Sequence, residues 1–485
     1  MLTFRLAFAG IREKHCEMQA TPPNSAPGLT TSNSTWAPAG RSRPSRREFL
    51  RTTAGAALAV PTLIPSHVLG GAGATAPSDR IRLGIIGCGS MGNVNLSNCA
   101  QFQDVVVTAA CDADENRRIP VLERYGKTCK GFHDYRELLQ HKDLDAVIIA
   151  TLPHWHALQT IAACEAGKDI YLQKPMTMHL AESLAVRNAV KKHGRICQVG
   201  TQHHATENHR RIVEYLRSGN LGEIGVVRAF NVMNQTAKGI GTGCYMAPHE
   251  GLDWDMWCGP APLGRYNRML VRDAYHHCSW MDYSGGWTPG NGPHMIDLPV
   301  RALDLGFPTT ISASGGRFIV KDEGDAYDHH EVLWRYPNLT MTWMMSLTNS
   351  YGFDLHGEPK PQVRVGAYFH GVNGTLYTDY LGNFKVVPEG DLLNGKQAPP
   401  KSLPPSPGHE REWLDCIKSR RQPSCNPCYH VKVDVPLVLS VLSLKLGRSI
   451  RFDPATESIV GDDEAARLAV PTYRPPWQFP RQYLS

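Results

Sequence analysis

At 485 residues the chain exceeds what one hydrophobic core holds, so two domains are expected. Its hydrophobic (42%) and charged (20%) fractions are those of an ordinary globular protein rather than a disordered one. The net charge of +6 lies almost entirely in residues 1–76, which carry eight Lys/Arg against three acids; the rest is near neutral, so a nucleic-acid partner has no electrostatic support.

That basic segment has the order of an export signal. Ser45-Arg46-Arg47-Glu48-Phe49-Leu50-Arg51 is a twin-arginine sequence, followed by a moderately apolar run from Thr52 to Ile64 and by small residues at Ala72, Ala74 and Ala76. The apolar run is too short and weak to span a membrane. Residues 1–76 therefore read as a leader. They predict the twin-arginine export machinery as partner, a periplasmic location and no membrane span after processing. Residues 1–40, rich in Pro, Ser, Thr and Asn, read as disordered or as an early start. The 13 cysteines are scattered and behave as small hydrophobes. Cys425-Asn426-Pro427-Cys428 has the spacing of a disulfide or of half a zinc site; without a second pair, no metal is expected.

The first mature segment, Arg82-Leu83-Gly84-Ile85-Ile86-Gly87-Cys88-Gly89-Ser90-Met91-Gly92, is an apolar strand running into G-x-G-x-x-G. Gly87 permits the tight turn, Gly89 lets backbone approach a pyrophosphate and Gly92 lets the next helix pack on the strand. Ser90 and Met91 open that helix, whose N-terminus favours phosphate. A second strand, Val105 to Cys111, ends in Asp112, twenty residues after Gly92. An acid there accepts hydrogen bonds from ribose hydroxyls and repels a 2′-phosphate, which favours NAD over NADP; it also suits a helix N-cap. Helix Glu115–Tyr125, a short strand near Cys129, helix Tyr135–His141, strand Ala146–Ala150, helix His156–Ala166, strand Asp169–Leu172, helix Leu180–His193 and strand Arg195–Val199 follow. This alternation predicts a doubly wound parallel sheet over residues 77–200. Ligands lie off the carboxyl ends of such strands, where the Gly87–Gly92 loop, Asp112, Thr151, Pro153, His156, Lys174 and Gln202 fall.

With Thr151-Leu152-Pro153-His154-Trp155-His156, Gln173-Lys174-Pro175 and Gln198-Val199-Gly200-Thr201-Gln202 in place beside the glycine loop, the chain resembles the Gfo/Idh/MocA oxidoreductases, in their exported branch. The resemblance implies that Thr151, Pro153, His156 and Lys174 contact the cofactor, and that Lys174 also holds the reacting hydroxyl. Gln173 stands where the family has Glu.

Residues 201–485 read as a second α/β domain. Helix Asn208–Gly219 and strand Ile224–Asn231 lead to long β-like runs at Thr310–Val320, Glu331–Tyr336 and Leu339–Met345, a mainly antiparallel open sheet. The resemblance implies that this sheet mediates homo-oligomerisation. An insert over residues 235–288 is rich in Trp, Tyr and His; its aromatic faces suit sugar rings, and core packing explains them equally. Gly290-Asn291-Gly292-Pro293-His294-Met295-Ile296-Asp297 matches the family's Asp-x-Gly-x-His-x-x-Asp, with His294 as proton carrier and Gly290 in place of the first aspartate. Asn291 or Asp282 can substitute for that acid. Asn291, Asp297, Tyr283 and Gln202 are the expected substrate contacts. Other histidine pairs (His203-His204, His276-His277, His329-His330) would point to opposite faces of strands, which disfavours a metal site. Helices at Glu410–Ile417 and Val435–Leu446 and a surface loop at residues 387–408 complete the chain.

These readings converge on an exported, NAD-dependent oxidoreductase acting on a sugar or polyol, with a tightly held cofactor. Two other readings remain open: an NAD-dependent glycosidase working by transient oxidation, and a catalytically impaired sugar- and NAD-binding protein.

Overall fold

A computed structural model describes residues 79–272, 275–350 and 364–484; the twin-arginine leader lies outside them. The glycine-flanked apolar run forms β1 (Ile81–Ile86), with Leu83 and Ile85 packed on one face and Ile86 on the other. It pairs in parallel with β2 (Val105–Cys111) and, on its other edge, with β4 (Ala146–Ile149). β3 (Lys130–Phe132), β5 (Asp169–Leu172) and β6 (Cys197–Val199) complete a six-stranded sheet in the order β3-β2-β1-β4-β5-β6. The order reverses between β1 and β4, which opens a crevice at the strands' carboxyl ends. The register levels those ends: Ile86 lies beside Cys111 and Ile149, Ile149 beside Leu172, and Leu172 beside Val199. Residues 87, 112, 150, 173 and 200 thus leave the sheet along one rim.

The helices follow the expected segments. α1 (Ser90–Ala100), α2 (Glu115–Tyr125), α3 (Tyr135–Leu139), α4 (Pro153–Glu165) and α5 (Leu180–Lys192) alternate with the strands. α6 (Glu207–Arg217) then leads to a nine-stranded mixed sheet. Its centre is β7 (Ile224–Val232), β8 (Thr310–Gly316), β9 (His329–Arg335) and β10 (Thr340–Ser346). The β7–β10 pair is parallel and the other pairs are antiparallel, so the expected open, mainly antiparallel sheet is present. Its β11 (Val365–Gly371), β12 (Gly374–Asp379) and β13 (Phe384–Pro388) form an edge that the sequence reading did not identify.

Two late segments tie the sheets together. The helix His409–Ser419 lies far along the sequence yet sends Trp413 and Leu414 into the core beneath Leu83 and Ile85 of the parallel sheet. Arg411 pairs with Asp104, and Arg420 with Asp169, to hold it there. The helix Pro427–Leu446 is long and apolar enough to cross a membrane, but most of it is buried inside the protein. Its Pro436 carbonyl and Ser440 hydroxyl accept from the Trp334 indole, and its Asp434 accepts from Thr177 and Ser183. Burial pushes the Asp434 carboxyl up to about 6, against those hydroxyl bonds.

Among the described residues, the insert over residues 235–288 holds the short helices Trp254–Cys258, Arg268–Arg272 and Met281–Ser284 and the start of Trp287–Asn291. Trp257, Trp280 and Tyr283 pack with Cys258, Met269 and Leu270 into a small core of the insert's own. Of the two explanations for its aromatic content, core packing accounts for these rings. Cys425 is buried and Cys428 exposed, and both are free thiols, so the Cys425–Cys428 disulfide does not form.

Candidate active site

The crevice predicted by the strand order is a cleft at the rim of the parallel sheet. The loop after β1 enters it as a turn that only glycine suits. Gly87 has φ +95°, and a Cβ there would lie 2.6 Å from the Ala150 carbonyl carbon. A Cβ on Gly92 would lie 2.0 Å from the Gly87 carbonyl oxygen, so α1 starts hard against the turn. The first helical bond runs from the Asn93 amide to the Gly89 carbonyl (2.9 Å). The amides of Ser90, Met91 and Gly92 precede it and have no intrahelical acceptor. Gly87, Gly89, Ser90 and Met91 line the cleft, and Gly92 packs behind them. This is a cradle for a pyrophosphate, built by close backbone approach and a helix N-terminus.

Asp112 lines the same cleft. Its carboxylate accepts the Cys88 amide at 2.7 Å and the Asp114 amide at 2.9 Å. The N-cap of α2 is Asp114, whose side chain accepts the Asn116 amide. Asp112 therefore sets the glycine turn as well as facing the crevice. Burial raises its pKa, opposed by those amides and by Arg117. Arg117, not singled out from the sequence, lines the cleft beside Gly89 and donates to the Val271 carbonyl.

At the other end Thr151, Pro153, Gln173 and Lys174 form the wall. Lys174 Nζ donates to the Gly290 carbonyl at 3.0 Å, and its amide to Gln173 Oε1 at 2.7 Å. Burial lowers the lysine's pKa, with Cys278 opposing. Asn291 lies on this wall, as do His277 and Cys278, which the sequence reading passed over as a catalytic pair. Burial, then the charge of Lys174, holds the His277 imidazole down at about 3, so it is neutral.

Other expected contacts lie off the cleft. His156 is fully buried; its Nδ1 lies 2.7 Å from the Pro175 carbonyl and its Nε2 3.1 Å from that of Thr151, so it joins two rim turns rather than facing a ligand. Tyr283 is buried in the insert core and donates to the Pro262 carbonyl. Gln202 donates to the Tyr171 hydroxyl at 3.2 Å beneath α1. Asp282 is exposed and not on the cleft wall. Asp297 is buried, accepting from Tyr429 at 2.7 Å and pairing with His204 at 3.0 Å, so it braces its helix instead of meeting substrate. Burial would raise its carboxyl; His204 and Tyr429 outweigh this and hold it well below the usual range. With Cys425, His204 and Asp297 form a group close enough to share a cation, yet His204 and Tyr429 already hydrogen-bond the carboxylate. His294 stands behind the wall, edge-on to His203 and Tyr380 at 5.7 and 5.4 Å. Burial, followed by Lys174 and His203, pushes its pKa well down.

A cleft with a glycine cradle, an acid after β2 and a half-buried lysine after β5 defines a dinucleotide-type site. Residues 81–201 match the Gfo/Idh/MocA oxidoreductase family's NAD-binding Rossmann fold, and residues 242–479 match its C-terminal alpha/beta domain. The chain belongs to this family. Inositol 2-dehydrogenase of Salmonella paratyphi B is 30% identical over 145 residues, which is 30% of this chain and 43% of that protein. The chain thus spans less than half the length of such curated relatives. Among solved structures, aldose-aldose oxidoreductase from Caulobacter crescentus aligns with a TM-score of 0.56 at 15% identity, over 77% of this chain and 100% of that one. Levoglucosan dehydrogenase, in complex with NADH and levoglucosan, aligns with a TM-score of 0.53 at 18% identity, over 77% and 99%.

Replacing Asp297 with Asn tests the buried brace. Its folded pKa is depressed, so its contribution is complete above the usual carboxylate range and fades as pH falls below it. Asp297→Asn is expected to lower stability at neutral pH by about 1–3 kcal/mol, the cost of replacing the hydrogen bonds of a buried carboxylate by those of a neutral amide. Urea denaturation should show the gap to wild type narrowing in acid; a gap that widens there rejects the assignment.

Proposed function

We propose that the protein is an exported oxidoreductase that interconverts a hydroxyl and a ketone on a sugar or polyol, using tightly held NAD. The observation that carries this is the half-buried amine of Lys174, which shares one cleft with the glycine cradle and lies 3.0 Å from the Gly290 carbonyl. When bound, the nicotinamide supplies the hydride acceptor or donor. Gly87, Gly89, Ser90 and Met91 fit its pyrophosphate, and Thr151, Pro153 and Lys174 fit its reactive end. Asp112 keeps lone pairs beyond those given to the Cys88 and Asp114 amides, so it can still accept ribose hydroxyls. Its charge disfavours a 2′-phosphate, which is the support for NAD over NADP.

Lys174 donates to the reacting oxygen, fixes it in the cleft and stabilises negative charge on it as the proton leaves. Its low-dielectric position strengthens that effect. The proton partner is one of two neutral imidazoles near the lysine, His277 on the wall and His294 behind it. Inositol and levoglucosan, named for the similar proteins, are a polyol and an anhydrosugar, which supports the substrate class. The outer face of β9, with Glu331, Leu333 and Arg335 exposed, offers a surface for the homo-oligomer implied by the open sheet. The twin-arginine sequence Arg46-Arg47 supports export of the folded, cofactor-loaded chain to the periplasm.

Lys174→Ala is expected to cut turnover at least ~100-fold in a carbohydrate screen read by NADH absorbance, with the fold intact by circular dichroism. Unchanged rates would remove its role. Asp112→Ala should shift the NAD-to-NADP affinity ratio at least ~10-fold against NAD by fluorescence titration, the scale of one charged hydrogen bond; a parallel loss of both cofactors rejects the ribose contact. Arg46→Lys with Arg47→Lys should leave the chain in the cytoplasmic fraction; undiminished periplasmic protein argues against this export route.

A further inference from the structure

The chain has no side chain at position 290, where the family pattern has an aspartate. A Cβ built on Gly290 would fall 2.7 Å from Cys278 Sγ, so the thiol holds the volume that a 290 side chain needs. Cys278 belongs to a short 3-10 turn, His276–Ser279, and lines the cleft although only 4% exposed. The same turn sets His277 on the cleft wall, its Nε2 3.7 Å from Cys278 Sγ. Lys174 reaches the Gly290 carbonyl, and Cys278 is the group that opposes the burial effect on its amine. Three functional groups from two distant segments therefore meet where the motif is incomplete.

We infer that the His277–Cys278 turn replaces the missing side chain at 290, with His277 exchanging the substrate's proton and Cys278 fixing its ring beside Lys174. The inference rests on the reading of the cleft as an alcohol-oxidising nicotinamide site. Cys278 Sγ accepts the Nε2–H of His277, which leaves the lone pair on Nδ1. In oxidation the substrate O–H bond breaks and its proton passes to His277 Nδ1. With the cofactor bound, the nicotinamide ring would supply the acceptor for the hydride that leaves with both electrons of the C–H bond, as C–O becomes C=O. Lys174 donates to that oxygen throughout. Cys278 remains a thiol and changes no oxidation state; reduction reverses each movement. Burial and the neighbouring lysine hold the resting His277 neutral, and the same two effects make the proton it takes easy to pass on.

The test uses the full mature protein and four changes: His277→Gln, Cys278→Ala, Gly290→Asp, and Cys278→Ala combined with Gly290→Asp. NADH binding is titrated by fluorescence first. An unmodified protein that fails to bind NADH overturns the cleft reading and this inference together, whereas NADH binding kept in all variants isolates the turn. Thermal unfolding then reads the packing without turnover. Gly290→Asp should lower Tm by about 4 °C or more, and adding Cys278→Ala should restore most of it; additive losses overturn the shared-volume assignment. In the carbohydrate screen His277→Gln should lower kcat at least ~100-fold, with the KM for NAD within about threefold. Cys278→Ala should lose about tenfold and the double variant should regain part of that. A His277→Gln rate within threefold of wild type, or NADH binding with no turnover of any sugar, overturns the proton role.

Discussion

The contact between the Lys174 ammonium and the Gly290 carbonyl is the constraint on which the site depends. It crosses from the rim of the parallel sheet to the segment that opens the helix of His294 and Asp297. A half-buried cation is only partly solvated and needs an acceptor from the protein. A backbone carbonyl satisfies one of its three donors without neutralising its charge. The amine thus keeps donors for a ligand oxygen, and its field falls on nearby imidazoles. His277 and His294 both list toward the neutral form partly for that reason. Burial is the larger cause at both imidazoles, and the lysine's charge adds to it.

That charge also shows why the surrounding elements are braced so heavily. His156 joins the Thr151 turn to the Pro175 turn, so the lysine's own loop is fixed from below. Asp297, His204 and Tyr429 fix the helix on the other side, behind the cleft lining. The helix Pro427–Leu446 carries Tyr429 and Asp434, and so links both sheets to this brace. His156, expected at the cofactor, and Asp297, expected at the substrate, thus brace the elements on either side of the lysine.

Much of the parallel half was legible because its signals are local. Strand periodicity, the glycine spacing, Asp112 and the Gln173-Lys174-Pro175 turn each sit within a few residues of what they act on. Lys174, Asn291, Thr151 and Pro153 reach the cleft as expected for that reason. The motif around His294 reads as a unit, but it spans two helices that meet at Gly292: Asn291 ends the short helix Trp287–Asn291 and lines the cleft, whereas Asp297 lies on the helix Pro293–Ala302 and is buried. Tyr283 was read by residue type, and its neighbours His154, Trp254 and Trp257 made it core. The strands Val365–Gly371 to Phe384–Pro388 carry Gly and Tyr rather than a clean apolar alternation, and they owe their order to pairing with the distant strand Ile224–Val232.

The histidine pairs show where local reasoning failed for a specific cause. Adjacent residues point apart in a strand, and His329 and His330 do so, with His330 buried. His203-His204 and His276-His277, however, lie in 3-10 turns, where neighbours are about a third of a turn apart. In such a turn His277 and Cys278 can both reach one cleft while His276 does not line it. The compensation for Gly290 was hidden for the same reason. Nothing in the spacing of residues 278 and 290 places a thiol against a glycine; only the folding of the insert back over the rim does. A missing side chain in a motif is thus a question about what packs into its volume, and here the answer is a sulfur atom with an imidazole attached to the same turn.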